Sequence, residues 1–274
     1  MLGRTIVPTN GAIGYMRYKG HGDPSSVGAN FGLAIGHVEN IINPDTGVKE
    51  DHVVFDFIDA FYPDDFKDPK YPDRPGTIDW LQVVPVITEL INRFRPYEFT
   101  FDQFDSTMAI QQLTHNLANL GLQETIVGSK VATAPLNDRR WRNFRAALNL
   151  GRVHAPHPDT FSSVATHNSI ELSRNELKFL QEKNGRVDKQ SIGPIRTKDI
   201  ADCIAEVTDA LIGDTIGVTA GNLDAGFQFG AQHGYTGISA GNTQQFPELA
   251  EYYSTFKKES PRRAPRMPHR GRHY

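Results

Sequence analysis

Ile78-Asp79-Trp80-Leu81-Gln82-Val83-Val84-Pro85-Val86-Ile87-Thr88-Glu89-Leu90-Ile91-Asn92-Arg93-Phe94 runs into Arg95-Pro96-Tyr97-Glu98-Phe99-Thr100-Phe101-Asp102, and the chain changes period inside this stretch. Leu81, Val84, Ile87, Leu90, Ile91 and Phe94 recur at helical spacing, and Pro96 stops the helix. Glu98 to Asp102 then alternates, with Phe99 and Phe101 on one face and Thr100 and Asp102 on the other. Upstream the chain reads as strand: a segment near Tyr15 to Asp23, residues 31 to 38, and Val53 to Phe61. The last two are joined through the turn-rich Asn43-Pro44-Asp45-Thr46-Gly47. Downstream, helix and strand alternate. Ser106 is placed to cap a helix carrying Ile110, Leu113, Leu117 and Leu120 and closed by Gly121. Glu124 to Val127 is strand-like, whereas Trp141 to Leu150, Ile170 to Glu182 and Lys198 to Ile212 are helical. Three strands in an antiparallel meander, then helix–strand alternation, predict an α/β fold: a mixed sheet with helices on its faces.

The chain has 274 residues, 38% hydrophobic and 22% charged, enough to bury a proper core. No apolar run approaches the roughly 18 residues of a membrane span, and Met1-Leu2-Gly3-Arg4-Thr5 lacks the apolar centre of a signal peptide. Cys203 is the only cysteine, which excludes an intrachain disulfide and fits a reducing compartment. The net charge of −3 is unevenly spread: Lys257 to Tyr274 carries two Lys, five Arg and one Glu, or +6, leaving −9 for the rest. These features divide the chain into a folded domain over 1–212, a glycine-rich irregular segment over 213–256 and a basic disordered tail over 257–274. Arg262, Arg263, Arg266, Arg270 and Arg272 in the tail are candidate contacts to a polyanion such as DNA.

Three acidic positions stand where elements begin or end: Asp23, Asp102, and Asp199 with Asp202 at the head of the last helix. Convergent carboxylates repel one another, so such a site calls for a divalent cation, and Mg²⁺ or Mn²⁺ suits an all-oxygen shell. Phosphodiester hydrolysis with two metal ions is the chemistry that most often uses that arrangement. At about 100° per residue, Ile200, Ile204, Val207 and Leu211 form one apolar stripe, and Asp199, Asp202 and Glu206 cluster roughly 120° from its centre. The competing reading of that cluster is a solvated acidic flank, with Asp199 answering the helix dipole. Asp105 reads as a local capping residue beside Ser106. Asp56 and Asp59 read as exposed-face residues of a strand, Asp56 being a spare candidate. His21, beside Asp23, is placed to assist catalysis or to serve structure. No His-Glu-x-x-His motif is present, so a zinc hydrolase is not indicated, and Gly128-Ser129-Lys130 lacks the first glycine of a P-loop.

His21-Gly22-Asp23 followed by Gly32-Leu33-Ala34-Ile35-Gly36-His37, then Phe101 to Ser106 with Gln111 and Leu113, resemble the nuclease domain of a tailed-bacteriophage terminase large subunit. Gly151-Arg152-Val153 leading to His157-Pro158, and Lys198-Asp199-Ile200-Ala201-Asp202, complete the likeness, which runs from about Tyr18 to Leu211. The resemblance implies an RNase H-like fold in which Asp23 bridges two metal ions, Asp102 is the second ligand, Asp199 the late-helix ligand and Asp202 a helper. Gly22 departs from the aliphatic residue usual at its position. The resemblance also implies cutting of concatemeric viral DNA during packaging, in the cytoplasm of an infected bacterium. Its implied partners are double-stranded DNA, an ATPase motor expected on a separate chain, a terminase small subunit and a portal. Two other functions are compatible with the same residues: another RNase H-like nuclease such as a junction resolvase, and a non-catalytic packaging or assembly module.

Overall fold

In the computed structural model, residues 17–24, 29–71, 73–74, 76–102, 107–131, 133–155, 164–183, 186–190 and 192–232 are described. The sequence through Phe229 makes one compact unit; the remainder, Gly230–Tyr274, is a second unit lying almost wholly outside the described residues.

Strands β1 (Tyr18–Asp23), β2 (Phe31–Ile42) and β3 (Lys49–Phe61) form the expected antiparallel meander. Helix α1 (Trp80–Phe94) follows, and then β4 (Glu98–Asp102) enters the sheet parallel to β1. Helix α2 (Thr107–Asn119) leads to β5 (Ile126–Lys130), parallel to β4. Helix α3 (Ala134–Asn149) leads to β6 (Val153–His154), parallel to β3. The six strands lie in the order β5-β4-β1-β2-β3-β6, and only β2 runs against its neighbours. This is the RNase H-like arrangement. Helix α4 (Val164–Lys178), a small hairpin of β7 (Leu180–Lys183) and β8 (Arg186–Lys189), and helix α5 (Asp199–Gln232) complete the described elements.

Strand alternation assigns the two faces. Phe31, Leu33 and Ile35 of β2 and Phe99 and Phe101 of β4 pack on one side with Val84, Ile87, Leu90, Ile91 and Phe94 of α1 and Leu113 and Leu117 of α2. On that side β1 presents Tyr18, whose ring packs against Phe94, followed by Gly20 and Gly22. A Cβ on Gly22 would stand 2.8 Å from the Phe31 ring, so the absent aliphatic side chain is replaced by a phenylalanine from the neighbouring strand. On the other face β2 presents Gly32, Ala34 and Gly36, a lane of small residues along which α5 lies. A Cβ on Gly32 would be 2.5 Å from the Asp199 carbonyl oxygen, and one on Gly36 would be 3.4 Å from Val207 Cγ1. Trp141 and Phe144 of α3 and Ile200, Ile204 and Val207 of α5 fill this second core with Phe55 and Ile58 of β3.

Four features differ from the sequence expectations. Asp56 and Asp59 are buried rather than exposed. The pairing passes from Ile35↔Phe57 to Gly36↔Phe55, so Asp56 is the extra residue of a β-bulge, and its carboxylate meets His37 Nδ1 at 2.5 Å. Asp59 accepts a hydrogen bond from the Ser169 hydroxyl of α4. Residues 180–182, expected to end a helix, instead belong to the β7–β8 hairpin, and β6 is too short to leave a periodic signal. Finally, the segment expected to be irregular from residue 213 continues α5 through Gln232. Ile212 and Ile216 are buried in the second core, and Gly213 leaves room for the Asp209 and Asn143 side chains beside it. The remainder of that segment and the whole basic tail lie outside the described residues.

Because Ile216 is a core contact of α5, Ile216→Ala should destabilise the protein by about 2–5 kcal/mol, measured from the urea unfolding midpoint. A change within about 0.5 kcal/mol, usual for a surface position, would show that the helix does not use this side chain.

Candidate active site

Gly22 pairs with Phe101 across the parallel β1–β4 ladder, so Asp23 and Asp102 occupy the same end of two adjacent strands. On the other side of β1, Asp23 is in register with Gly32. The bare backbone of Gly32 allows the first turn of α5 to rest on β2, which sets Asp199 beside Asp23. Three of the acids chosen from sequence are therefore brought together by two strand pairings and one close helix–strand contact.

The pKa directions record that convergence. Asp23 is held well above the usual carboxylate range, first by burial and then by the negative charges of Asp202, Asp102 and Asp199, against which Lys198 works. Asp199 is pushed up to about 7 by burial and by Glu176 and Asp202, with Lys198 and Lys189 opposing. Its Oδ2 is buried and has no hydrogen-bond partner. For Asp102, burial works upward, but His21, Arg140 and Lys198 outweigh it and draw the carboxyl below its ordinary value. His21 is fully buried; its Nδ1 is 2.8 Å from Thr100 Oγ1, and its Nε2 is 3.5 Å from Asp102 Oδ1. His21 thus reaches Asp102 rather than Asp23, its neighbour in sequence.

Asp202 and Glu206 are engaged by fixed cations. Arg140 Nη2 donates to Asp202 Oδ1 at 2.9 Å, and Lys198 Nζ pairs with Asp202 Oδ2. Lys130 pairs with Glu206 Oε1, and Arg140 Nη1 lies 3.6 Å from Glu206 Oε2. Asp202, Glu206 and Arg140 are all buried, so the solvated-flank reading does not describe this part of α5. One turn further on, Asp209 receives Arg139 at 3.0 Å and Asn143 at 2.6 Å, which aligns α3 along the acidic side of α5.

Sequence inspection missed two of these residues, Arg140 of α3 and Glu176 of α4. Fully buried, Glu176 accepts from the Thr197 hydroxyl at 2.7 Å and from the Ala201 backbone N–H at 2.9 Å, capping α5 from a different helix. Burial pushes its carboxyl up to about 7, although these hydrogen bonds oppose the rise. No local motif announces such a cap. The small-residue lane Gly32-x-Ala34-x-Gly36, by contrast, was a readable sign that a helix would pass close.

Asp23, Asp102 and Asp199 offer oxygen donors only, the set suited to Mg²⁺ or Mn²⁺. Among the described residues no group of three or more Asp, Glu, His or Cys side chains is placed so as to hold a metal ion. The residues nevertheless fit a divalent cation in chemistry and charge. Asp199 Oδ2 is a buried oxygen with no hydrogen-bond partner among the described residues, and burial followed by the charges of Asp202, Asp102 and Asp199 holds the Asp23 carboxyl above its usual range.

No family model matches the chain, and no curated protein matches it. Among solved structures it is similar to the large terminase nuclease from thermophilic phage G20c with bound magnesium, at 11% identity over 73% of this chain and 84% of that one, with a TM-score of 0.44. It is also similar to the Thermus phage P74-26 large terminase nuclease domain, at 12% identity over 74% and 84% of the two chains, with a TM-score of 0.47. For Thermus thermophilus RuvC the values are 13%, 71%, 94% and 0.33. These are likenesses of fold, and strand order and direction define the fold independently of them.

The site makes a pH prediction. In the unfolded chain Glu176 releases its proton near 4.5, whereas in the folded protein it keeps it until about 7. The folded state therefore holds more protons across that interval, so this group's contribution to stability falls as pH rises from about 4.5 to 7 and is level above. In urea titrations without added metal, Glu176→Gln, which mimics the protonated carboxyl, should lie near wild type at low pH and gain stability relative to it as pH rises through this interval. A constant wild-type-to-mutant difference would contradict the raised pKa.

Proposed function

We propose that this chain is a metal-dependent endodeoxyribonuclease of a phage terminase, cutting concatemeric viral DNA during genome packaging in the cytoplasm of an infected bacterium. One observation carries the reading: Asp23, Asp102 and Asp199 are brought together at one end of β1 and β4, and among the described residues no fixed cation is bonded to Asp23 or Asp199. Duplex DNA is the proposed substrate, with an ATPase motor, a small subunit and a portal as proposed partners. None of the described helices is long and apolar enough to cross a membrane.

Asp23, Asp102 and Asp199 would hold Mg²⁺ or Mn²⁺. Bound there, the ion supplies Lewis-acid stabilisation of a phosphodiester oxygen and makes water a stronger nucleophile at neutral pH. The chain's own contribution is placement and electrostatics. The β1–β4 ladder holds Asp23 and Asp102 side by side, while Glu176 and Gly32 set the position of the α5 turn that carries Asp199. The Thr100 hydroxyl fixes the His21 ring through Nδ1, and His21 Nε2 faces Asp102. Lys198, about a quarter exposed, adds positive charge at the mouth of the site, where a phosphate backbone would approach. Backbone contacts of this kind position a duplex without reading its bases.

Asp102→Asn and Asp199→Asn each keep the side chain's shape and remove the anion. Mn²⁺-dependent cleavage of linear duplex should fall by more than about 100-fold in each, given that losing an outer partner of a metal ligand already costs about 10–100-fold. Circular dichroism should show the fold retained. Near-wild-type cleavage by either folded mutant would remove that residue from the site. Preference for four-way junctions over linear duplex would favour a resolvase, and absence of cleavage by the wild type under any divalent ion would favour an assembly module.

Arg262, Arg263, Arg266, Arg270 and Arg272 are proposed to tether DNA electrostatically. Deleting residues 261–274 should weaken duplex binding at low salt and flatten its salt dependence by about 0.9 in log–log slope for each phosphate no longer neutralised. Unchanged affinity and slope, read by fluorescence anisotropy, would contradict the tether.

A further inference from the structure

At the far end of β2 from Gly32, two histidines meet across the edge of the sheet. His52 of β3 and His154 of β6 place Nδ1 and Nε2 2.8 Å apart, with their rings stacked at 5.1 Å between centroids and 20° between planes. The strand they secure is slight: β6 is Val153–His154, paired with Val53 and Val54. Beside this pairing, the Val53 N–H donates to the Arg152 carbonyl at 2.8 Å. Nitrogens at such a separation share one proton, so one ring donates and the other must accept through a bare lone pair. The contact therefore survives when both rings are neutral and when either one is charged. With both charged, two N–H groups face each other and two positive charges stand in a half-dry setting.

We propose that the His52–His154 hydrogen bond is a proton-sensitive clasp on the sheet edge, holding β6 to β3 while the pair carries at most one positive charge and releasing it when both imidazoles are protonated. The surrounding charges allow the first proton and resist the second. Glu50 Oε2 stands 3.9 Å from His52 Nε2, whereas Glu50 Oε1 is taken by Arg152 at 3.1 Å. From β2, Glu39 acts on His154 but is shared with His37, whose other nitrogen lies against Asp56. Asp51 is bonded by Asn40. Burial, followed by the charges of His154 and Arg152, holds His52 below the ordinary 6.5, with Glu50 and Asp51 opposing; burial holds His154 below the same value, with Glu39 opposing. The detached strand therefore binds more protons than the docked one below about 6.5, so docking is at full strength above that pH and weakens as pH falls through the lowered values. β6 continues α3, the helix whose Arg140 holds Asp202, so the clasp ties the other end of that connection.

Amide hydrogen exchange on the full chain reads the docking locally. The Val53 N–H is protected by its bond to Arg152, and the Ile126 N–H by its bond to Tyr97 at the opposite edge, between strands that carry no histidine. After correction for intrinsic exchange, the Val53-to-Ile126 ratio of protection factors in wild type should fall by at least about 10-fold between about pH 7.5 and about pH 5, the equivalent of one pKa unit for the releasing proton. In His154→Gln the side-chain oxygen still accepts from His52 Nδ1 and takes up no proton, so the ratio should stay level. A level ratio in wild type, or an equal fall in His154→Gln, would overturn the clasp. Should His154→Gln fail to fold, imidazole nitrogen shifts of the wild type decide. A second proton entering the pair below about 6.5 as Val53 protection is lost supports the clasp, whereas any other order, including both rings ionising independently at or above that value, overturns it.

Discussion

Negative charge gathered in a half-dry pocket is the constraint around which this protein is organised. Carboxylates of like sign at the ends of neighbouring strands repel one another, and burial removes the water that would screen them. Two remedies are visible in the structure. At Asp202 and Glu206 the protein supplies Arg140, Lys198 and Lys130. Among the described residues no cation is bonded to Asp23 or Asp199, and burial, followed by neighbouring carboxylates, holds both carboxyls above their ordinary pKa. The division separates carboxylates tied to cations of other elements from carboxylates without such a bond among the described residues.

Strand order makes such a pocket possible. Because β4 enters the sheet parallel to β1, both strands finish at the same edge, and their terminal acids become neighbours without any local sequence relation. The rest depends on how closely backbones approach. Gly32 and Gly36 let α5 lie against β2, and Gly20 and Gly22 let phenylalanine rings close over β1 from the opposite side. The polar groups Lys19, His21 and Asp23 all point to the α5 side as a consequence of strand alternation. Even Lys19, fully buried, is answered there by Glu98 of β4.

The second face also shows why a helix rich in glycine can persist. Past Ile212, local propensity argues against helix, since each glycine costs about 1 kcal/mol relative to alanine. Packing of Ile212 and Ile216 into the core, together with the close approach permitted at Gly213, prevails over that preference.

Most of the fold was legible in the chain. Period-two runs marked β1 to β4, the period-3.6 stretch over 78–94 marked α1, and Gly121 and Gly151, both with positive φ, closed helices where expected. These signals are local: they depend on which side chains alternate and which residue tolerates a left-handed turn. The acids at element ends were legible too, as residue types in suggestive positions. What the sequence by itself determined was therefore the strands of the meander and β4, the main helices, and the presence of carboxylates at element ends. Only the tertiary structure decided which acids would remain without a bonded cation. Arg140 lies 62 residues from Asp202, and Glu176 is 25 residues from the backbone N–H it accepts. In the sequence Arg140 is one of many arginines, because the charge a carboxylate feels is set by distance through space, which strand pairing and helix packing establish and no local pattern encodes.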